Sequence, residues 1–158
     1  MPAHPLRHVD DQFLRDAPLV VAASVDLAAT PAQVWEALGS DRMWSWLPVI
    51  DRLEWLSPRP HGPGSVRRLR LGKAVTVDEQ FYRWDVEQRA TFRVTSQSRP
   101  VLDALVEDFL LEPTGKGTKL TWTMAVAPRR GQRLPLGLLA PLLRPGNGFA
   151  LAGIKKIL

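Results

Sequence analysis

The run Ala74-Val-Thr-Val-Asp-Glu-Gln-Phe-Tyr-Arg-Trp84 decides the fold. Val75, Val77 and Phe81 recur at every second position or a multiple of it, with Thr76, Asp78 and Gln80 between them. That period of two belongs to a strand with one covered face, not to a helix. One residue in the apolar phase is a carboxylate, Glu79. The same period continues on both sides, in Val49–Leu56, Ser65–Leu71, Ala90–Ser98, Ala104–Leu111 and Thr118–Val126. Turn chemistry separates these stretches: Pro58-Arg-Pro-His-Gly-Pro-Gly64, Gly72-Lys73, Asp85 to Arg89, Arg99-Pro100 and Thr114-Gly-Lys-Gly117. Six successive strands on short links predict an antiparallel meander and exclude alternating βαβ units.

Upstream, Val20–Leu27 is expected as a further strand. A helix then starts with Thr30 as cap, Pro31 in the first turn and Gln33 completing a capping box. Val34, Trp35 and Leu38 form its apolar stripe, and Gly39 ends it. A second short helix is expected from about Asp41 to Trp46, stopping before Pro48. Helical character resumes near Leu136, interrupted at Pro141, Pro145, Gly146 and Gly148, and Asn147 is placed to cap a last helix ending at Leu158. Residues 1–16 are polar, a tail or a short amphipathic helix, and residues 17–158 form one domain. The order is β-α-α-β6-α, an α+β fold.

Composition narrows the chemistry. The chain has 158 residues, 45% hydrophobic and 23% charged, enough for one core without a staple. It has no cysteine, which removes thiolate nucleophiles, iron–sulfur clusters and Cys-ligated zinc. Its three histidines, His4, His8 and His61, form no metal-ligand spacing, so no metal is expected. No phosphate-binding loop or other cofactor motif is present, and no cofactor is expected. The net charge of +5 is concentrated at the end: residues 129–158 carry Arg129, Arg130, Arg133, Arg144, Lys155 and Lys156 and no acid. That stretch suits a solvated basic face, an acidic partner or peripheral contact with an anionic membrane, and it supports a mobile lid. Nucleic acid is not expected, since no Tyr or Trp interleaves these cations to stack on bases. No charge-free run is long enough to span a bilayer, and acids interrupt any leader, so a cytoplasmic protein is expected. Most of the basic residues are Arg, beside much Ala, Leu and Pro, which fits a GC-rich bacterial genome.

Strand phase also predicts a cavity. Covered-face residues are Val75, Val77, Glu79 and Phe81, then Phe92 and Val94, Leu105, Glu107, Phe109 and Leu111, and Leu120, Trp122, Met124 and Val126. A carboxylate in a dry core is costly unless paired or wet, and a cavity resolves the conflict posed by Glu79 and Glu107. A bulge of one residue would instead turn either outward, and Asp108 beside Glu107 is equally polar. A two-residue turn at Gly72-Lys73 would set Arg68 and Arg70 on the face of Glu79, whereas a three-residue turn would send both to solvent. The expected lining is Trp55, Val77, Phe81, Phe92, Phe109, Trp122 and Met124, with Glu79 as polar anchor and Glu107 and Arg68 beside it. Trp44 and Trp46, two apart, point in different directions, so one of them lines whatever that helix covers.

Taken in order, Thr30-Pro-Ala-Gln-Val-Trp-Glu-Ala-Leu38, Gly62-Pro-Gly64 followed by Val66-Arg67, Glu79 with Trp84-Asp85, and Leu111-Glu-Pro113 with Gly117-Thr118 and Trp122 resemble the START/helix-grip (SRPBCC) superfamily. That superfamily includes START lipid-transfer domains, birch-pollen-allergen proteins and bacterial polyketide cyclase/dehydrase-like proteins, and the resemblance spans about residues 18–158. It implies a seven-stranded antiparallel sheet curled around a long C-terminal helix, with an apolar cavity between them. It implies a carrier or sensor of a hydrophobic small molecule (lipid, polyketide-like or aromatic) or, alternatively, a cyclase or dehydratase in which Glu79 or Glu107 acts as acid or base. In members resembling plant hormone receptors the acid matching Glu79 faces the ligand. In related folds the loop holding His61, Gly62 and Gly64 gates the cavity mouth. The Pro/Gly breaks in the C-terminal segment depart from the family pattern.

Overall fold

The computed structural model describes residues 4–131 and 145–158. Its elements are β1 (His4–Pro5), α1 (Asp11–Asp16), β2 (Leu19–Leu27), α2 (Pro31–Leu38), β3 (Ile50–Trp55), β4 (Val66–Leu71), β5 (Val75–Asp85), β6 (Arg89–Gln97), β7 (Leu102–Thr114) and β8 (Gly117–Pro128). Residues 145–152 are helical and tighten into a 3-10 turn at Gly153–Lys156. All pairings are antiparallel, in the order β2-β8-β7-β6-β5-β4-β3. The seven strands expected from alternation are all present, and the two-residue β1 adds an eighth by pairing with β6.

Local chemistry explains the concave side. Thr30 accepts from the Gln33 amide while the Gln33 side chain accepts from the Thr30 amide, the capping box expected for α2 and worth about 1 kcal/mol. Val34 and Leu38 on its stripe are buried. The second helix expected at 41–46 does not form. Trp44 has φ 66°, a left-handed conformation that stops helical propagation, and the segment closes as successive turns instead. The result is useful. Trp44 is turned into the core, while Trp46 donates from Nε1 to the Ala150 carbonyl at 2.8 Å.

That bond helps to seat the C-terminal segment. Leu151 and Ile154 are fully buried in the main core, and Gly153 lies so close to Trp46 that a Cβ there would stand 2.1 Å from the indole. Residues 145–158 are therefore packed on the core. Much of the expected basic lid, residues 132–144, lies outside the described residues. Asn147, expected as a cap, sits inside the helical stretch and is buried.

The convex face is covered by the N-terminal segment. Phe13 of α1 and Val9 pack on Ala104, Val106, Ala125 and Ala127, small residues that leave room for the helix. A bulge between Phe81 and Arg83 turns both Tyr82 and Arg83 to this side, where Asp11 accepts from both. The bulge also returns Trp84 to the concave face, against Trp35 at 4.8 Å between ring centroids. Residues 4–16 thus pack on the sheet through a short strand and a short helix.

Candidate functional site

Between the concave sheet and the segments that cross it lies a cavity of about 360 Å3. Such a volume falls in the range of small-molecule sites, roughly 300–1,000 Å3. Its walls are mostly aliphatic: Leu69 and Leu71 from β4, Val75 and Val77 from β5, Leu102 and Leu105 from β7, and Leu47 and Ile50 before and within β3. Trp44, Trp122 and Met124 also line it, together with three polar residues, Glu79, Gln97 and Glu107.

The predicted lining divides into two groups. Val77, Glu79, Glu107, Trp122 and Met124 line the cavity as expected. Phe81, Phe92 and Phe109 face the same side and are buried, but they fill their end of the concave face with packed rings. Trp55 joins that filled end, stacked at 5.2 Å on Phe81 and at 3.7 Å on His61. Alternation reports which face a side chain takes; it does not report whether its neighbours leave space beside it. His61 and the glycines Gly62 and Gly64 do not line the cavity. His61 is wedged between Trp55 and Trp84, and burial first, then the Arg59 charge, hold its imidazole below the usual histidine range.

Turn length corrects the arginine. Leu71 pairs with Val75, so the β4–β5 connection contains three residues, Gly72, Lys73 and Ala74, with the first two left-handed. Parity then reverses relative to a two-residue turn. Arg67 faces Glu79, and Arg68 goes to the outer face, where its Nε and Nη2 donate to Asp78 at 2.6 and 2.8 Å. Arg68 is thus no part of the cavity, and Arg70 pairs with Asp51 outside it. The signal that would have found Arg67 is the connection length, because each added residue flips every side chain downstream.

Arg67 is almost wholly buried and donates from Nε to Glu79 Oε2 at 2.6 Å, with Nη2 as close to the same oxygen. Its guanidinium lies over the rings of Trp55, Phe81 and Phe92, at 5.6, 5.2 and 5.1 Å from their centroids. Such contacts help to hold a cation where water cannot. The ion pair marks the boundary between the packed aromatic end and the open aliphatic end.

Glu107 completes the site. Its Oε2 accepts from Trp122 Nε1 at 2.8 Å, and the side chain is buried. Asp108 takes the opposite face, bonded to Arg89 and Thr91, so the ambiguity between the two acids is resolved with Glu107 inward. Burial, and then the nearby Glu79 charge, push the Glu107 carboxyl up to about 8, against the pull of the Trp122 hydrogen bond and of Arg67. Burial raises Glu79 as well, outweighing the opposing charge and hydrogen bond of Arg67. Glu107, with no cation at contact distance among the described residues, holds a proton at neutral pH.

A curled antiparallel seven-stranded sheet closed over a C-terminal helical segment, with a ligand-sized void between them, defines the helix-grip class of START-like proteins. The chain belongs to the polyketide cyclase / dehydrase and lipid transport family, whose model matches residues 18–158. It is 34% identical over 141 residues to uncharacterized proteins of Mycobacterium tuberculosis and Mycobacterium bovis, covering 89% of this chain and 84% of each relative. A protein of Thermus thermophilus superposes with a TM-score of 0.70 at 21% identity, over 87% of this chain and 95% of the other. A START superfamily protein of Mycobacterium smegmatis gives 0.68 at 17% identity, over 85% and 92%. At these identities the solved structures bear on the fold alone. Among the described residues no helix is long and apolar enough to cross a membrane, and no cluster of His, Asp or Glu is arranged to hold a metal.

Proposed function

We propose that the protein binds a hydrophobic small molecule in this cavity, as a carrier or sensor. The observation that carries the proposal is the void itself: about 360 Å3 of mostly aliphatic wall with two buried carboxyl groups converging on it. Burying an apolar ligand in such a wall returns roughly 25 cal/mol per Å2 removed from water, and a few polar groups then fix its orientation. Native mass spectrometry of the purified protein tests the proposal through co-purified ligand. Val77→Phe, which places a ring in the void, is expected to abolish that uptake while the fold persists; equal ligand occupancy in this variant overturns the assignment of the cavity. Exchange with an anionic membrane through the basic residues of 129–158 belongs to the carrier role, and salt-dependent co-sedimentation with anionic vesicles checks it.

One observation favours a second function, a cyclase or dehydratase acting on a polyketide-like substrate. Glu107, protonated near neutral pH, and Glu79, in contact with the Arg67 cation, would serve as acid and base in one cavity. A ligand recovered chemically unchanged after incubation supports carriage. Recovery of the same molecule with one water fewer, lost in Glu107→Gln, supports the dehydratase.

A further inference from the structure

We propose that the cavity selects uncharged ligands bearing a carbonyl-type hydrogen-bond acceptor, seated on the Glu107 carboxyl, and turns away carboxylates; this rests on the ligand-binding function proposed above. The inference comes from the polar groups of the wall. Gln97 is committed to the backbone, its Nε2 donating to the Leu102 carbonyl at 2.7 Å and its Oε1 accepting from the Val101 and Leu102 amides at 3.2 and 3.1 Å. Glu79 Oε2 is taken by Arg67, whose own cation is turned onto three aromatic rings and does not line the void. Glu107 Oε2 is taken by Trp122. Among the described residues the second oxygen of each acid has no hydrogen-bond partner, and of the two acids Glu107 is the one with no cation at contact distance, so its carboxyl is the group that meets a ligand as donor.

Charge decides what that ligand can be. Among the described residues, the ionisable groups lining the cavity are both acids, and no Lys, Arg or His lines it. Arg67, the neighbouring cation among the described residues, is neutralised by Glu79 at contact distance. A carboxylate ligand would be stripped of water beside two acids with no cation among the described residues of the lining to receive it, a loss that apolar burial does not recover. A carbonyl needs a single donor, which the Glu107 O–H supplies. An ammonium would bring three donors to a wall in which Gln97 is already bonded, Glu79 is already paired with Arg67, and Glu107 would have to give up its proton to receive it. The groups acting on Glu107 from neighbouring strands are Glu79 on β5, which disfavours its ionisation, and Arg67 on β4 and Trp122 on β8, which favour it.

The test uses four probes of equal chain length, decane, 2-decanone, decanoate and decylamine, titrated into the full chain from pH 6.5 to 9. Fluorescence of the cavity tryptophans Trp44 and Trp122 gives the readout. The expected order is 2-decanone tightest, decane next, and decanoate at least 10-fold weaker than 2-decanone at pH 6.5. Affinity for 2-decanone should then fall as pH passes about 8, the range in which Glu107 loses its proton. Glu107→Gln should flatten that pH dependence and narrow the ketone–decanoate gap. Decanoate binding as tightly as 2-decanone overturns the inference while leaving the cavity a ligand site. Decylamine binding tightest, with affinity rising with pH, overturns it in favour of cationic ligands. Failure of all four, decane included, overturns the ligand-binding function itself.

Discussion

Replacing Arg67 by Met tests the core of the site, because it removes the cation and keeps a long flexible side chain among the rings. In the protein Arg67 is fully buried and touches Glu79 at 2.6 Å. Without it Glu79 is a buried carboxylate with no counter-ion, and breaking such a pair costs about 3–5 kcal/mol. The Met thioether restores part of the contact with Trp55, Phe81 and Phe92 at roughly 0.3–1.5 kcal/mol each, so the charge dominates. Glu79 can escape by taking a proton, which limits the loss and makes it depend on pH. Its carboxyl titrates near 4.5 when unfolded and well above that in the folded variant. The folded state then binds more protons, so stability is fully present below 4.5 and is lost as pH rises. The gap between 4.5 and pH 7 corresponds to about 3 kcal/mol, and that between 4.5 and pH 5 to less than about 1 kcal/mol, at 1.36 kcal/mol per unit. Urea unfolding at the two pH values reads this directly. The double variant Arg67→Met/Glu79→Gln should be more stable at pH 7 than Arg67→Met alone, since no charge is left unpaired. A loss below about 1 kcal/mol at pH 7, or equal losses at pH 5 and 7, would refute the buried ion pair as described.

Glu107→Gln should leave stability near that of the parent at pH 5 and exceed it at pH 8. The native acid keeps its proton to about 8 while the unfolded chain releases it near 4.5, and the parent loses stability through that window by up to about 1.4 kcal/mol per pH unit; parallel urea midpoints across the range would argue against the raised value. Gly153→Ala should cost about 1–3 kcal/mol by overpacking against Trp46 and break the bond to the Ala150 carbonyl. Hydrogen exchange at residues 145–158 should accelerate more than at β8, and unchanged protection there would show that Trp46 does not seat the segment.

Alternation, capping and turn chemistry are local, and they were legible in the residues. Each of the seven expected strands forms within three residues of its predicted ends, and Thr30, Pro31 and Gln33 start α2 as their chemistry requires. Glu79 faces inward because strand phase places it there, and the same holds for Val77, Trp122 and Met124. Arg67 was not legible. Choosing between Arg67 and Arg68 depends on whether three residues or two close the β4–β5 hairpin, and Gly72-Lys73-Ala74 satisfies either count locally. The emptiness beside Val77 and the fullness around Phe81 were equally out of reach, since both are set by side chains brought from α2, residues 40–61 and the C-terminal segment. The Glu107 proton depends on all of these together: its burial, the Trp122 indole, the neighbouring Glu79 and the distant Arg67. The sequence alone therefore determined the strands, the helix start and which residues of an unbulged strand share a face, because those follow from periods of two and 3.6 along the chain. Only the tertiary structure decided the register, the void and the ownership of the buried proton, because each is a sum over residues far apart in sequence and close in space.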